Sequence, residues 1–199
     1  MTDSAAVGQV DERSPGKRDR LIAAACQLLY QQGVERTSLA DIAHLADVPP
    51  GNVYYYFKTK DEIIEAVVQS HRREIETTLE QLESGHHTPK SRLKSLVRKL
   101  AEQRDLIAEY GCPHGSLCSE LDKRDAGTEH VAAELIRVPI AWAEKQFRAM
   151  GRQDAYDLAV TLIAAYQGTA LLANTLGDPS LMLRESRRLN RWIDSLESE

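Results

Sequence analysis

Apolar residues recur at helical spacing along nearly the whole chain, and no stretch alternates with period two for long enough to form a convincing strand. This pattern predicts an all-α fold with about nine helices. Glycine and proline residues supply stop signals between them, as at Gly33, Gly151 and Pro179. The predicted helices lie near residues 17–32, 37–47, 50–57, 61–84, 90–109, 113–124, 128–149, 153–176 and 179–196.

The composition is that of a globular protein, with 199 residues, of which 42% are hydrophobic and 28% charged. No apolar run approaches the roughly 20 residues that span a bilayer, and the N-terminus lacks the pattern of a secretory signal. The three cysteines are an odd number and fit no disulfide framework. These features predict a cytoplasmic protein that does not contact a membrane.

The net charge of −5 argues at first against a nucleic-acid partner. The charge is unevenly distributed, however, because residues 13–60 hold seven basic and four acidic side chains while the remainder is acidic. A mildly basic head on an acidic body suits a small DNA-binding domain, although an asymmetry of this size is common by chance.

Two short predicted helices are joined through Asp47-Val48-Pro49, a spacing typical of a helix-turn-helix. Ser38 can cap the first helix, and Pro50 suits the first turn of the second. Pro49 offers no side-chain cap, which costs about 1 kcal/mol. Gly51 is expected to let the backbone approach its neighbour closely.

The second of these helices contains three consecutive tyrosines, Tyr54, Tyr55 and Tyr56. Because successive residues step about 100° around a helix, at least two of them must point away from the side marked by Val53 and Phe57. Outward phenols with polar neighbours suit a helix that lies in the major groove and has flanking phosphate contacts. The alternative is a packed aromatic cluster beneath a surface helix. The polar neighbours are Asn52, Lys58 and Lys60.

The stretch from Lys17 to Asp61 resembles the N-terminal domain of the TetR family of one-component transcriptional repressors. The matching features are the amphipathic first helix ending at Gly33, the second helix with Thr37 and Asp41-Ile42-Ala43, and the run from Val53 to Asp61. Pro49 departs from the family pattern, which usually has Ser or Thr there. Residues 1–16 are polar, small and without periodicity, which predicts a disordered arm. The resemblance implies a helix-turn-helix domain at 17–60 and a helical regulatory and dimerisation domain at 61–199.

The resemblance also implies a function and a set of DNA contacts. The protein would be a repressor without enzymatic activity or cofactor, binding a palindromic operator as a homodimer and released by a small-molecule inducer. Asn52 and Tyr55 would contact base edges in the major groove. The implied phosphate contacts are Ser38, Tyr54, Tyr56 and Lys60, with Lys17 or Arg18 of the arm as a further backbone contact.

The dimer face implied by the resemblance involves the last two helices. The helix near 153–176 carries small residues that permit close helix packing, and the last helix offers large apolar residues. For each candidate, a position in the core of a single chain is the alternative. The candidates are Ala164, Ala165, Gly168, Leu172, Leu189, Trp192 and Ile193.

The segment Gly111–Leu121 resembles the Gly-Cys…Leu-x-x-Glu-Leu segment of a TetR subgroup that includes regulators answering to electrophiles and drug-like compounds. Cys112 precedes a proline that can begin a helix, and a helix N-terminus favours the thiolate form. Cys112 is therefore a candidate sensor, and a small buried residue at a tight corner is the alternative.

A non-covalent ligand would need a pocket, for which aromatic residues of the larger domain are candidates, with ordinary core positions as the alternative. Pro139 is predicted to kink its helix, which can open a cavity. The candidate lining residues are Tyr110, Cys112, Leu117, Trp142, Phe147 and Tyr166.

Two other classes of function are weaker. The chain has no Gly-rich phosphate loop, no His-Glu-x-x-His and no Cys-x-x-Cys, so an enzyme is not indicated. The adjacent His86 and His87 lack a repeated ligand spacing, so no metal site is predicted. A helical adaptor that binds protein instead of DNA remains as an alternative, although the tyrosines argue against it.

Overall fold

The computed structural model describes residues 16–124 and 129–196, and within these ranges the predicted all-α class is confirmed. The stretch predicted as one helix near 90–109 is two helices, because Gln103 leaves helical geometry with φ −86° and ψ 10°. The predicted arm lies outside the described residues apart from Gly16. The ten helices in the described ranges are α1 (Lys17–Arg36), α2 (Leu39–Leu45), α3 (Pro50–Tyr56), α4 (Lys60–Gly85), α5 (Pro89–Glu102), α6 (Arg104–Tyr110), α7 (Pro113–Leu121), α8 (Glu129–Ala149), α9 (Ala155–Leu176) and α10 (Ser180–Ser195).

Local side-chain hydrogen bonds determine where several helices begin. The Ser38 hydroxyl accepts the backbone N–H of Asp41 at 3.1 Å, and the Asp41 carboxylate accepts the Ser38 N–H at 2.9 Å. This capping box begins α2, and Thr59 and Thr88 cap α4 and α5. Gly33 interrupts α1 with a φ of +83°, so the regular helix breaks where the sequence predicts its end.

A first hydrophobic core joins α1, α2 and α3 to the first half of α4. Leu21, Ile42 and Ile64 are completely buried in it. The same core includes Leu121 of α7 and Leu135 of α8. The helix-turn-helix part therefore packs directly on helices of the larger part. The hydrophobic core continues across the domain boundary predicted near residue 60.

A second core lies further along α4 and is formed with α5, α8, α9 and α10. Leu93, Phe147 and Ile193 are completely buried there. Because α4 contributes Ile64 to the first core and Leu79 to the second, one helix connects the two.

One described helix, α9, is long and apolar enough to cross a membrane by length and composition alone. Core helices of water-soluble proteins also meet this criterion. One side of α9 is buried, but Leu171, Leu172 and Leu176 on the other side are 66%, 53% and 67% exposed. Part of the apolar surface of α9 is thus left exposed by the described residues of its own chain.

Candidate DNA-binding surface and ligand cavity

The turn between α2 and α3 is held by backbone geometry and by burial. Asp47 adopts a positive φ of 50°, which directs the chain back towards α3. The Val48 N–H donates to the carbonyl of Ala43 at 3.0 Å, and both side chains are buried. A backbone hydrogen bond and burial in the first core therefore fix the geometry of this turn.

The outer side of α3 presents tyrosine side chains. Val53 and Phe57 are 1% and 2% exposed, whereas Tyr54 and Tyr55 are 56% and 78% exposed. Tyr56 is half-buried, and its ring meets that of Tyr55 edge to face with centroids 5.0 Å apart. The prediction that at least two tyrosines point away from the core is confirmed.

The start of α3 confirms one prediction made from the sequence and contradicts another. Pro49 occupies the N-cap without a side-chain cap bond, and Pro50 follows in the first turn, as predicted. A Cβ atom built on Gly51 would meet nothing within 4 Å. The prediction that Gly51 allows a close backbone approach is therefore wrong within this chain.

Basic side chains of this region lie near the C-terminal end of α3. Lys60 directs its ammonium to the carbonyl of Glu35 at 3.5 Å, and the ammonium of Lys58 donates to the carbonyl of Tyr54. The Arg18 guanidinium lies 5.4 Å from the centre of the Phe57 ring. Lys17 and Arg18 are in the first turn of α1, which corrects their assignment to an arm.

The other predicted DNA contacts, Ser38 and Asn52, differ in how free their side chains are. Ser38 is exposed, but its hydroxyl is engaged in the capping box of α2. Asn52 is partly buried on α3, and its backbone N–H donates to the carbonyl of Pro49 at 2.8 Å.

The end of α7 holds the helix-turn-helix part through polar contacts. Glu120 Oε2 accepts the backbone N–H of Val34 at 2.6 Å, directly after the interruption at Gly33. Arg124, just beyond α7, places its guanidinium 3.0 Å from the carboxylate of Asp61 and 3.5 Å from that of Glu35. Glu120 is the glutamate of the Leu-x-x-Glu-Leu pattern, so that pattern has a structural role at this junction.

A cavity of about 220 Å³ lies between α4, α5, α7, α8 and α9. Pro139, which lies inside α8, and Tyr166 of α9 both line the cavity. The polar residues of the lining that were not predicted as ligand contacts are His71, Glu74, Thr78, Lys99, Gln103, His114 and Gln167.

Two histidines form one wall of this cavity. The rings of His71 and His114 are 5.2 Å apart at an angle of 71°, and His71 Nδ1 lies 3.4 Å from the carboxylate of Glu74. Burial lowers the pKa of His114 to about 4, and the proximity of His71 contributes, so this ring is uncharged at neutral pH. His114 forms no hydrogen bond with another described residue.

The remaining predicted ligand residues lie away from the cavity. Trp142 and Phe147 belong to the second core, and Leu117 belongs to the first. Tyr110 is half-buried against Tyr30, with ring centroids 5.4 Å apart. Of the predicted ligand residues, Tyr166 is the one that lines the cavity within the described part of the chain.

Cys112 caps α7 and is 6% exposed. Its sulfur accepts the backbone N–H of Gly115 at 3.4 Å, and the Tyr166 hydroxyl donates to it at 3.7 Å. It borders a separate groove that also includes Gln167 and Leu171. Burial raises the pKa of the thiols of Cys26 and Cys118 to about 11.

The predicted dimer residues divide into two groups. Ala164, Gly168 and Leu172 are exposed on α9, and a Cβ atom at Gly168 would meet nothing within 4 Å. Leu189 and Ile193 are instead buried within the chain's own second core. Ala165 is partly buried against that core, and Trp192 is half-buried against Phe147 with ring centroids 5.8 Å apart.

Comparisons with known proteins connect these features to a family. Residues 21–67 match the family model described as bacterial regulatory proteins, tetR family. The chain is 41% identical over 64 residues to the HTH-type transcriptional regulator TtgR of Pseudomonas putida, covering 32% of this chain and 30% of TtgR. An uncharacterized HTH-type regulator of Lactococcus lactis is 26% identical over 170 residues, which cover 83% of this chain and 87% of that protein.

A third relative is the HTH-type transcriptional repressor NemR of Escherichia coli. It is 29% identical over 101 residues, which cover 50% of this chain and 47% of NemR. The crystal structure of its reduced form has a TM-score of 0.76 at 20% identity and covers 87% of this chain and 95% of that one. The likeness of the fold thus extends well beyond the segment that matches the family model.

Proposed function

We propose that this chain, in which a TetR-family helix-turn-helix is joined to the larger helical domain of that fold, is a transcriptional repressor. It binds a palindromic operator as a homodimer in the cytoplasm and is released by a small molecule. The exposed Tyr55 on α3 is the observation that carries the proposal. A ring that is 78% exposed on a helix otherwise fixed by Val53 and Phe57 is available to a groove.

The direct test is a fluorescence anisotropy titration with the DNA that lies upstream of the protein's own coding sequence. Specific binding to a palindrome within that DNA, above binding to a scrambled duplex, is expected. Equal binding to both duplexes would contradict operator recognition. No binding to either would favour a helical adaptor that contacts protein.

Tyr55→Ala is expected to lower operator affinity about tenfold, because alanine cannot reach a base edge in the major groove. Affinity for scrambled DNA should stay unchanged, since a base contact does not contribute to nonspecific binding. The two affinities are measured by anisotropy at one fixed salt concentration. An unchanged operator affinity in this variant would remove Tyr55 from the base contacts.

Two matched variants sharpen this test. Tyr55→Phe retains the ring and removes only the hydroxyl, so it separates a hydrogen bond from ring contact. Lys60→Ala should weaken binding to both duplexes and reduce the salt slope by about 0.9, the value for one phosphate that is no longer neutralised. A Lys60→Ala effect confined to the operator would contradict its assignment to phosphate.

The homodimer is supported by the outer side of α9. Ala164, Gly168, Leu172 and Leu176 follow one another at intervals of four and are exposed, so they share one side of the helix. Small residues followed by leucines suit close packing against the same face of a second copy. Covering this face also accounts for the apolar composition of α9 without a membrane.

The inducer site is proposed to be the cavity that includes His114 and Tyr166. Pro113 and His114 of α7 line it, while Glu120 at the other end of α7 holds the backbone of Val34. A ligand in the cavity thus meets the helix that contacts the DNA-binding part.

A redox- or electrophile-sensing repressor that acts through Cys112 is the second candidate. It is favoured by the position of the sulfur at the N-terminus of α7, where a backbone N–H already points at it. The similar repressor NemR has been crystallised in a form described as reduced.

N-ethylmaleimide is expected, under this second candidate, to lower operator affinity by about tenfold or more, within the usual range of coupling between sites. The Cys112→Ser protein should resist the reagent, while Cys26→Ser should respond like the wild type because the Cys26 thiol is held protonated by burial. Mass spectrometry shows which cysteine is modified. Complete modification of Cys112 with full DNA affinity would eliminate the sensor.

A further inference from the structure

We propose that the cavity between α4, α5, α7, α8 and α9 binds a small aromatic monocarboxylate, with its ring beside His114 and its carboxylate at Lys99. The inference rests on the proposed inducer site and names the chemistry of the ligand. It follows from the size of the cavity, from the chemistry of its wall and from the charged residues of its lining.

The size of the cavity selects small molecules. It measures about 220 Å³. An apolar cavity of about 150 Å³ accommodates benzene, whereas sites for drug-sized ligands begin at about 300 Å³. One ring with a short substituent therefore fits.

The wall of the cavity favours a ring with a hydrogen-bonding group. Ile163 and Pro139 provide apolar surface, and the rings of His71, His114 and Tyr166 can pack edge to face against an aromatic ligand. The uncharged imidazole of His114 has one donor and one acceptor nitrogen, and neither bonds to a described residue. A ligand that carries oxygen can satisfy these atoms.

The charged residues of the lining differ in what they already contact. Glu74 is shared with the outer groove between α1 and α4, and its carboxylate faces His71. Lys99 of α5 is exposed to solvent where it lines the cavity, and it forms no ion pair or hydrogen bond with any residue in the described ranges. Gln103, at the break between α5 and α6, adds an amide to the lining. A solvent-exposed ammonium without an ion pair in the described ranges, in a lining that also holds an amide donor, is suited to a carboxylate.

The experiment compares three ligands that share one ring and differ in charge: benzoate, benzamide and benzylamine. Binding to the full-length protein is measured by isothermal titration calorimetry. Benzoate is expected to bind at least about tenfold more tightly than benzamide, and benzylamine more weakly still. Equal affinity for benzoate and benzamide, or no benzoate binding up to about 10 mM, would overturn the inference.

Variants locate the interaction. Lys99→Gln should lose the preference for benzoate over benzamide, whereas Lys94→Gln on the same helix should retain it, because Lys94 is paired with Asp194 at 2.7 Å and does not line the cavity. Ile136→Trp narrows the cavity and should abolish binding of both ligands. Retained preference in the Lys99→Gln protein would also overturn the inference, and circular dichroism verifies that each variant is folded.

Operator binding is measured on the same samples, which separates this inference from the proposed function. A protein that binds its operator but does not distinguish benzoate from benzamide refutes the ligand class alone. A protein that binds benzoate selectively but no DNA supports the ligand class and refutes the repressor.

Discussion

Replacing Leu172 by glutamate is expected to convert the proposed dimer into a monomer and to lower operator affinity by about a hundredfold or more. The side chain is 53% exposed, and Leu171 and Leu176 beside it are more exposed still. In a twofold interface each substitution introduces two carboxylates into apolar surroundings, and an unpaired buried charge costs several kcal/mol. DNA affinity falls because a single recognition helix reaches only one half-site.

Sedimentation equilibrium measures the oligomeric state, and anisotropy measures the DNA affinity. Leu106→Glu is the matched control, since Leu106 is also 53% exposed but lies on α6, outside the outer side of α9. It should leave the dimer intact. A Leu172→Glu protein that remains dimeric at micromolar concentration would show that α9 is covered in another way.

Removing the carboxylate of Glu120 is expected to lower the free energy of unfolding by about 1.5–3 kcal/mol, the range for a hydrogen bond to a charged group. Glu120→Ala leaves the Val34 N–H without the acceptor that now lies 2.6 Å away. Because Val34 is completely buried and follows the interruption at Gly33, no adjacent helical turn can take over this bond. Urea denaturation gives the energy, and hydrogen exchange at Val34 reports the contact itself.

Two further variants define what Glu120 contributes. Glu120→Gln retains an acceptor without the charge and should recover part of the stability. Glu134→Ala removes a surface carboxylate that pairs only with Arg137 among the described residues, so it should change stability by less than about 0.5 kcal/mol. Equal effects of Glu120→Ala and Glu134→Ala would contradict a specific role for the bond to Val34.

Local sequence signals predicted the helices well, because helix caps and stops act over a few residues. Ser38 and Gly33 act where expected, and Val53 with Phe57 identifies the buried side of α3. The prediction for Gly51 was wrong because glycine occurs both where two backbones pack closely and on open surface. A neighbour distant in sequence decides between these roles.

The cavity and the outer side of α9 show why the other sites were harder to predict. His71, Lys99 and His114 come from three different helices, and each looks like a solvated polar residue in its own segment. On the last two helices, Leu172 and Leu189 carry the same side chain, yet only Leu189 is covered by the chain's own core. Periodicity identifies an apolar stripe but does not distinguish a core from a partner.

The two ends of α7 connect the cavity to the DNA-binding part by a rigid path. The helix has nine residues, about 13 Å in length, with Pro113 and His114 in the cavity lining and Glu120 on the Val34 backbone. A ligand that shifts the first end therefore strains the second unless the helix deforms. Thermodynamic linkage then works in both directions: to the extent that the ligand weakens operator binding, a bound operator must weaken the ligand by the same factor. Such a protein would register its signal less readily on DNA than when free, so operator occupancy itself would raise the ligand concentration needed for release.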